Sequence, residues 1–318
     1  MEKHLAETRR RFVYGPLPSL FDELDKITQK ITGATADAAA TFKVNVDTAL
    51  SVASIPFLMA NFAEQDSQFQ RIFAAERIRM VPLRGDVEVP GANEHARRIA
   101  SERTALFIKE NTDIIAENTL MRLSNMFSSD QMRTTASELL LETLVMLWGS
   151  FEILTINIIK SYINQNPELS ILLINSDKTR KHFPSKGVPV ELLSEFGFRA
   201  DGCMGEIIFR ERSFDSLAVI RDVFGVIFSS NIELITALAN PNLWRIWQQR
   251  HLIAHKRGVI DKLYIDKTGD AREVGVKLEL FGPEIDESAQ IILSAALACL
   301  RAVSNLSDGS AIQESDSI

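Results

Sequence analysis

Residues 137–166, SELLLETLVMLWGSFEILTINIIKSYINQN, decide the fold. Leu140, Leu144, Trp148, Phe151, Thr155, Ile158 and Tyr162 recur at spacings of three and four, which is the period of one helix face. Almost every other side of the same helix is apolar too, and a helix that is apolar all round belongs in the middle of a bundle. Pro167 follows at once and closes it. The reading is therefore a mainly α protein built around this segment.

The same period returns downstream. Ser216 to Ala239 carries it through Leu217, Ile220, Val223, Phe224, Ile227 and Phe228. Leu243 to Lys256 is the next helix, with Gly258 as its stop because glycine tolerates a left-handed cap. Lys262 to Asp266 and Val274 to Leu280 flank Thr268-Gly269-Asp270 and read as a small β-hairpin. A last helix covers Glu287 to Val303. Between the core helices, residues 167–215 read as an insertion with turn chemistry at Phe183-Pro184-Ser185-Lys186-Gly187, a short helix at Val188 to Phe198 and an extended piece at Gly202 to Phe209.

Upstream, Thr104 to Phe127 is a helix exposed on one side. Phe42 to Met80 reads as two helices broken near Pro56, and Val81 to Gly91 as a connection. The expected division is a helical N-terminal region over 1–130, a helical bundle over 131–306 and a disordered Ser/Asp-rich tail over 307–318.

With 318 residues, 46% hydrophobic and 24% charged, the chain has the balance of an ordinary globular protein of one large domain or two. Cys203 and Cys299 are too isolated for a disulfide framework or a thiolate zinc site, which fits a reducing compartment. The start, Met1-Glu2-Lys3-His4, is polar, and no secretory signal is expected. Thr48 to Ala63 is uncharged but interrupted by Pro56, and falls short of the roughly 20 apolar residues of a span, so it reads as buried helix. From this the protein is expected to be cytoplasmic, with no membrane partner. A net charge of -7 argues against a protein that coats nucleic acid nonspecifically. It leaves room for a local basic site.

Such a site lies in Arg245-Ile246-Trp247-Gln248-Gln249-Arg250-His251-Leu252-Ile253-Ala254-His255-Lys256-Arg257-Gly258, which holds two of the five histidines. An imidazole can take a proton from a ribose 2′-hydroxyl or give one to a leaving oxygen, and a guanidinium can hold a phosphate and stabilise its added charge. At about 100° per residue, His251 and His255 lie about 40° apart, whereas Arg250 and His255 lie about 140° apart. For Arg250 and His255 to meet one phosphate, the helix must distort before Gly258, or two copies must face each other across a twofold axis.

Arg250, a polar residue after it, three apolar residues, His255 and the trailing Gly258-Val259-Ile260-Asp261 resemble the R-x4-6-H segment of the HEPN superfamily (higher eukaryotes and prokaryotes nucleotide-binding). Trp148-Gly149-Ser150-Phe151-Glu152 is similar to the acid-bearing core helix of those bundles. The resemblance covers about residues 131–306. It implies an antiparallel, dimeric helical bundle and a metal-independent endoribonuclease, without cofactor or metal, of toxin-antitoxin, phage-defence or RNA-processing type. It also implies Arg250 as the phosphate contact, His255 as acid or base and His251 as helper. Glu152, Lys256, Arg257 and Asp261 would support the site or touch RNA. An antitoxin or regulatory protein would be a further partner.

Plainer readings compete. Arg250 also reads as a surface residue, His255 as a histidine favoured by the helix dipole, and His251 as solvated. His251 and His255 share one face as a metal pair would, but Leu252 stands where an HExxH glutamate belongs. Glu152, amid apolar neighbours, calls for a basic partner such as Arg250 or His255, or sits in a structural ion pair or at an exposed edge. Trp244 and Trp247 read as core, and Tyr264 and Arg257 as ordinary surface and hairpin residues. No P-loop, GxGxxG, GxSxG or CxxC is present. The rival to an enzyme is a noncatalytic interaction or nucleotide-binding protein on the same bundle.

Overall fold

The computed structural model describes residues 6, 8–13, 19–80, 91–183, 190–210, 214 and 216–313, with backbone alone for 305–313. Among them the regular elements are all helices: α1 (Asp22–Thr28), α2 (Gly33–Met80), α3 (Ala92–Glu110), α4 (Thr112–Met126), α5 (Asp130–Gln165), α6 (Leu169–Asn175), α7 (Val190–Glu195), α8 (Met204–Phe209), α9 (Leu217–Ile227), α10 (Ile232–Leu238), α11 (Pro241–Lys256), α12 (Lys262–Thr268) and α13 (Gly282–Gln313). The mainly α class is as the sequence predicts. The chain forms two compact units.

Unit 1 comprises Met1–Gly15, Ser51–Leu140 and Phe281–Pro283. Phe12, Ala60, Leu120, Leu123 and Phe127 make its buried cluster, with Phe57 and Ala136 packed against it. The rings of Phe12 and Phe127 lie 4.7 Å apart. A buried carboxylate, Glu64, is satisfied by Arg122 Nε at 2.6 Å, by Asn118 at 3.0 Å and by Gln68 at 2.8 Å. A charge so placed is tolerable only with such partners.

Unit 2 comprises Pro16–Leu50, Leu141–Leu280 and Glu284–Ile318. Its centre is the segment that decided the fold: Leu144, Leu147, Trp148, Phe151, Leu154 and Ile158 of α5 are fully buried, as are Phe224 and Ile220 of α9. Helix α8 crosses α5 so closely that a Cβ on Gly205 would sit 2.3 Å from the Lys160 carbonyl oxygen. The Asn164 side chain accepts the Gly205 N–H at 2.7 Å.

Several expectations are overturned. Residues 202–209 are not extended: Met204–Phe209 is helical, with Gly205 packed on the Lys160 backbone and both Ile207 and Phe209 buried. The β-hairpin is absent: Lys262–Thr268 is helical, started by the Asp261 side chain accepting from Tyr264 N–H at 2.8 Å and stopped by left-handed Gly269. Pairing shrinks to one isolated bridge, Val259 with Lys277. The helix foreseen over Thr104 to Phe127 is divided at Asn111, and that over Ser216 to Ala239 before Asn231, which caps α10. Helix α13 takes in residues 307–313 of the supposed tail. The connection at 81–90, the turn at 184–187 and residues 314–318 lie outside the described residues.

The largest correction concerns the membrane. Pro56 does not break α2, which runs for 48 residues; the lost N–H bond is offset by burial of Ala53, Ser54 and Ala60 around it. The uncharged run is thus part of one long helix rather than a short piece. Three helices, α2, α5 and the Gly282–Ser304 part of α13, are long and apolar enough to cross a membrane by length and composition. The expectations of no membrane partner and of a cytoplasmic location therefore do not stand.

Candidate functional site

Helix α11 is well specified at both ends. Asn240 accepts the Asn242 N–H at 2.9 Å, and Pro241 occupies the first turn. At the other end Arg257 and Gly258 both turn left-handed, at φ 53° and 75°, and the Gly258 N–H reaches the Leu252 carbonyl at 3.2 Å. The left-handed position thus begins on Arg257, one residue before the glycine the sequence offered. Gly258 is still favoured there, since φ 75° strains a side-chain-bearing residue and a Cβ would also sit a tight 3.3 Å from Leu141 Cδ1.

Leu243, Ile246, Leu252 and Ile253 bury one face of α11. The Arg250 and Glu152 side chains are 18% and 17% exposed, and Arg250 Nη2 approaches Glu152 Oε1 at 3.5 Å. The Trp148 indole N–H donates to the same carboxylate oxygen. Glu152 therefore has a basic partner, and that partner is Arg250. Arg250 Nε is buried and makes no hydrogen bond, so the guanidinium is not saturated by this pair.

The histidines face outward. His251 and His255 are exposed, with ring centroids 4.5 Å apart. The row continues backwards along the helix through Trp247, 6.1 Å from His251, to Trp244, 4.8 Å from Trp247. These are spacings of three and four residues, which bring side chains together on a helix surface. The Arg221 guanidinium lies over the Trp244 ring at 5.7 Å. Trp244 and Trp247 are half-buried members of this row rather than core, because the four-ring stripe runs along the edge of the buried face.

Helix α11 is unbroken from Pro241 to Lys256, so no distortion brings Arg250 round to His255 within one chain. Arg250 points to the core helix; His255 points to solvent. Lys256 and Arg257 are exposed beside His255. Asp261 caps α12, its side chain accepting the Tyr264 N–H.

Sequence reasoning missed an anchor of this helix. Asp270, with its side chain 3% exposed, receives two bonds from the Arg272 guanidinium, at 2.9 and 2.6 Å, and lies 3.4 Å from Arg245 of α11. The Tyr264 hydroxyl donates to it at 3.3 Å. The hydrogen bonds from Arg272 hold the Asp270 carboxyl far below the ordinary carboxylate range, against the opposing effect of burial. Burial, with Asp270 alongside, pushes the Tyr264 phenol up. Tyr264 is thus a buried strut and not the surface residue expected; the Asp-x-Arg spacing was the available signal, hidden because the segment read as a hairpin turn.

A second missed pair is His182 with Asp222, 3.0 Å apart, where Lys181 also reaches Asp222 at 2.9 Å. Burial works against the Asp222 charge, but the bonds from Lys181 and His182 prevail and keep its carboxyl below the usual range. No group of three or more His, Cys, Asp or Glu side chains fit to hold a metal occurs among the described residues. A groove of about 520 Å³ is lined by Asp37, Thr41, Asn157, Lys160 and Glu206 and includes no residue of α11. A smaller one of about 140 Å³ takes in Arg245, Gln249 and Arg272.

No protein-family model, no curated protein and no solved structure matches this chain.

Proposed function

We propose that the chain is a metal-independent endoribonuclease of HEPN type that works as a homodimer, with residues 131–306 as a HEPN-like antiparallel bundle and 1–130 supplying regulation or partner binding. The single observation that carries the reading is the division of labour on α11: Arg250 held by Glu152 on one side, and the exposed His251–His255 pair on the other. Two such helices meeting about a twofold axis would place Arg250 of one copy near His255 of the other, which one regular helix cannot do for itself.

In this mechanism His255 accepts the proton of a ribose 2′-hydroxyl as the 2′-oxygen forms its bond to phosphorus. The bond from phosphorus to the 5′-oxygen breaks, and that oxygen takes up a proton from water. The products are a 2′,3′-cyclic phosphate and a 5′-hydroxyl. Arg250 offsets the charge that builds on the phosphoryl oxygens. Glu152 is a positioning residue that orients the guanidinium. Lys256 and Arg257 add positive potential for the RNA backbone. A role as toxin or defence effector, restrained by an antitoxin or regulatory protein, is part of the same proposal and rests on the resemblance to the HEPN superfamily.

One observation favours the rival, a noncatalytic interaction or nucleotide-binding protein: the Arg250 guanidinium already has an anionic partner in Glu152. The deciding experiment is cleavage of a mixed tRNA and mRNA pool in EDTA by wild type, Arg250→Ala and His255→Ala, all checked for folding. Cyclic phosphate ends from wild type, and silence from both variants, are expected. Intact RNA with folded wild type, or equal cutting by the variants, rejects the enzyme.

A further inference from the structure

The three helices with membrane-length apolar windows differ in how much of that window the protein covers. It is 56% in α5 and 67% in the Gly282–Ser304 part of α13, but 33% in α2. The uncovered part of α2 in unit 1 is concentrated. Ile55, Leu58, Met59 and Phe62 are 47%, 40%, 60% and 64% exposed. Their spacing places all four within about 100° of arc, a single stripe along the helix.

The opposite side of the same segment is committed to the protein. Ala53, Ser54 and Ala60 are buried, the Asn61 amide donates to Thr119 Oγ1 at 3.2 Å, and Glu64 pairs with Arg122. Carrying this stretch through a bilayer would carry the Glu64–Arg122 pair and Asn118 with it, which hydrocarbon disfavours strongly. The geometry suits a helix lying along a membrane with one side in lipid.

We propose that Ile55, Leu58, Met59 and Phe62 of α2 form a peripheral membrane-docking stripe that sinks into the hydrocarbon boundary of a phospholipid bilayer. Lipid is the occupant for two reasons. No Asp, Glu, Lys or Arg lies between Asp47 and Glu64, so the stripe lacks the charges by which a protein partner's register and orientation are fixed, whereas a bilayer requires none. Unit 1 also carries as many Lys and Arg as Asp and Glu, so the chain's net -7 falls on unit 2; the docking unit meets a lipid surface without charge repulsion.

The test is flotation of the full chain with phosphatidylcholine vesicles, with and without high salt, alongside Met59→Glu/Phe62→Glu. Wild type should float in both buffers, because apolar burial and not charge drives it. The double variant, with an unchanged helical circular dichroism spectrum, should partition at least tenfold less. A second arm does not depend on that variant folding. Met59→Cys in a Cys203→Ser background, labelled with an environment-sensitive fluorophore, should shift to the blue when vesicles are added. Wild type remaining unbound, a folded double variant floating equally well, or an unmoved label overturns the proposal. A wild-type dimer in aqueous buffer that the double variant turns into monomer overturns it in favour of a second copy of the chain.

Discussion

Arg250 Nη2 lies 3.5 Å from Glu152 Oε1, the oxygen that also accepts the Trp148 indole N–H. Helix α11 is thereby tied to the most buried part of α5, and the residue with the strongest claim to phosphate binding is held within the fold. Both side chains are mostly covered, so removing one leaves the other charge with poor solvation. Glu152→Leu is expected to cost about 2 kcal/mol in urea unfolding at neutral pH. Glu152→Leu/Arg250→Leu should recover part of that loss. Additive losses in the double variant would mean the two residues do not interact.

The Asp270 cluster predicts how stability responds to acid. Its carboxyl titrates lower in the folded chain than in the unfolded one, chiefly through Arg272. The resulting stabilisation is present above the unfolded value of about 3.9, and is lost as pH falls from there through the folded value. Asp270→Asn should therefore lower stability by about 2 kcal/mol near pH 7. The gap between variant and wild type should begin to narrow as the solution is acidified below about pH 4. Urea midpoints measured from pH 7 to pH 3 check this, and a gap that stays constant would remove Asp270 as the cause.

Two helical glycines should respond oppositely to alanine. A Cβ at Gly205 would meet the Lys160 carbonyl oxygen at 2.3 Å, and backbone cannot swing aside, whereas Gly225 in α9 has nothing within 4 Å of that position. Gly205→Ala is expected to destabilise by about 2 kcal/mol or more through overpacking. Gly225→Ala should stabilise by about 0.5–1 kcal/mol because alanine loses less entropy in a helix. Thermal melts of the two variants give the signs directly.

The parts of the fold legible in the sequence are those written into local period. The segment 137–166 announced α5 because its apolar residues repeat every three to four positions, and Gly258 marked the end of α11 by capping chemistry that acts within a few residues. What escaped depends on partners far along the chain. Residues 204–209 are too few for a period to show, and their helix rests on the backbone of Lys160. Pro56 looked like a break because its local penalty is visible, while the packing that offsets it is not. In the site, Arg250 and His255 could be picked out by residue type and their divergence of about 140° read from the helical period, but that Arg250 is the one facing the fold depends on its partner Glu152, about a hundred positions away along the chain. Asp270 and Arg272 were missed because a turn reading supplied a sufficient explanation for the aspartate.

The opposite orientation of Arg250 and His255 leads to the most discriminating prediction for the ribonuclease. If each active site combines Arg250 from one copy with His255 from the other, Arg250→Ala and His255→Ala homodimers are each inactive. Mixed and allowed to exchange subunits, half of the dimers become heterodimers, and each of these contains one complete site. The equimolar mixture should then regain about a quarter of wild-type cleavage. Sites contained within single chains would regain none, since every chain in the mixture lacks one of the two residues. The measurement is cleavage in EDTA before and after a denaturation and refolding cycle that exchanges subunits, with a double variant Arg250→Ala/His255→Ala mixed with wild type as control. Recovery that appears only after exchange establishes the shared site, and its absence, with heterodimers verified by mass, rejects it.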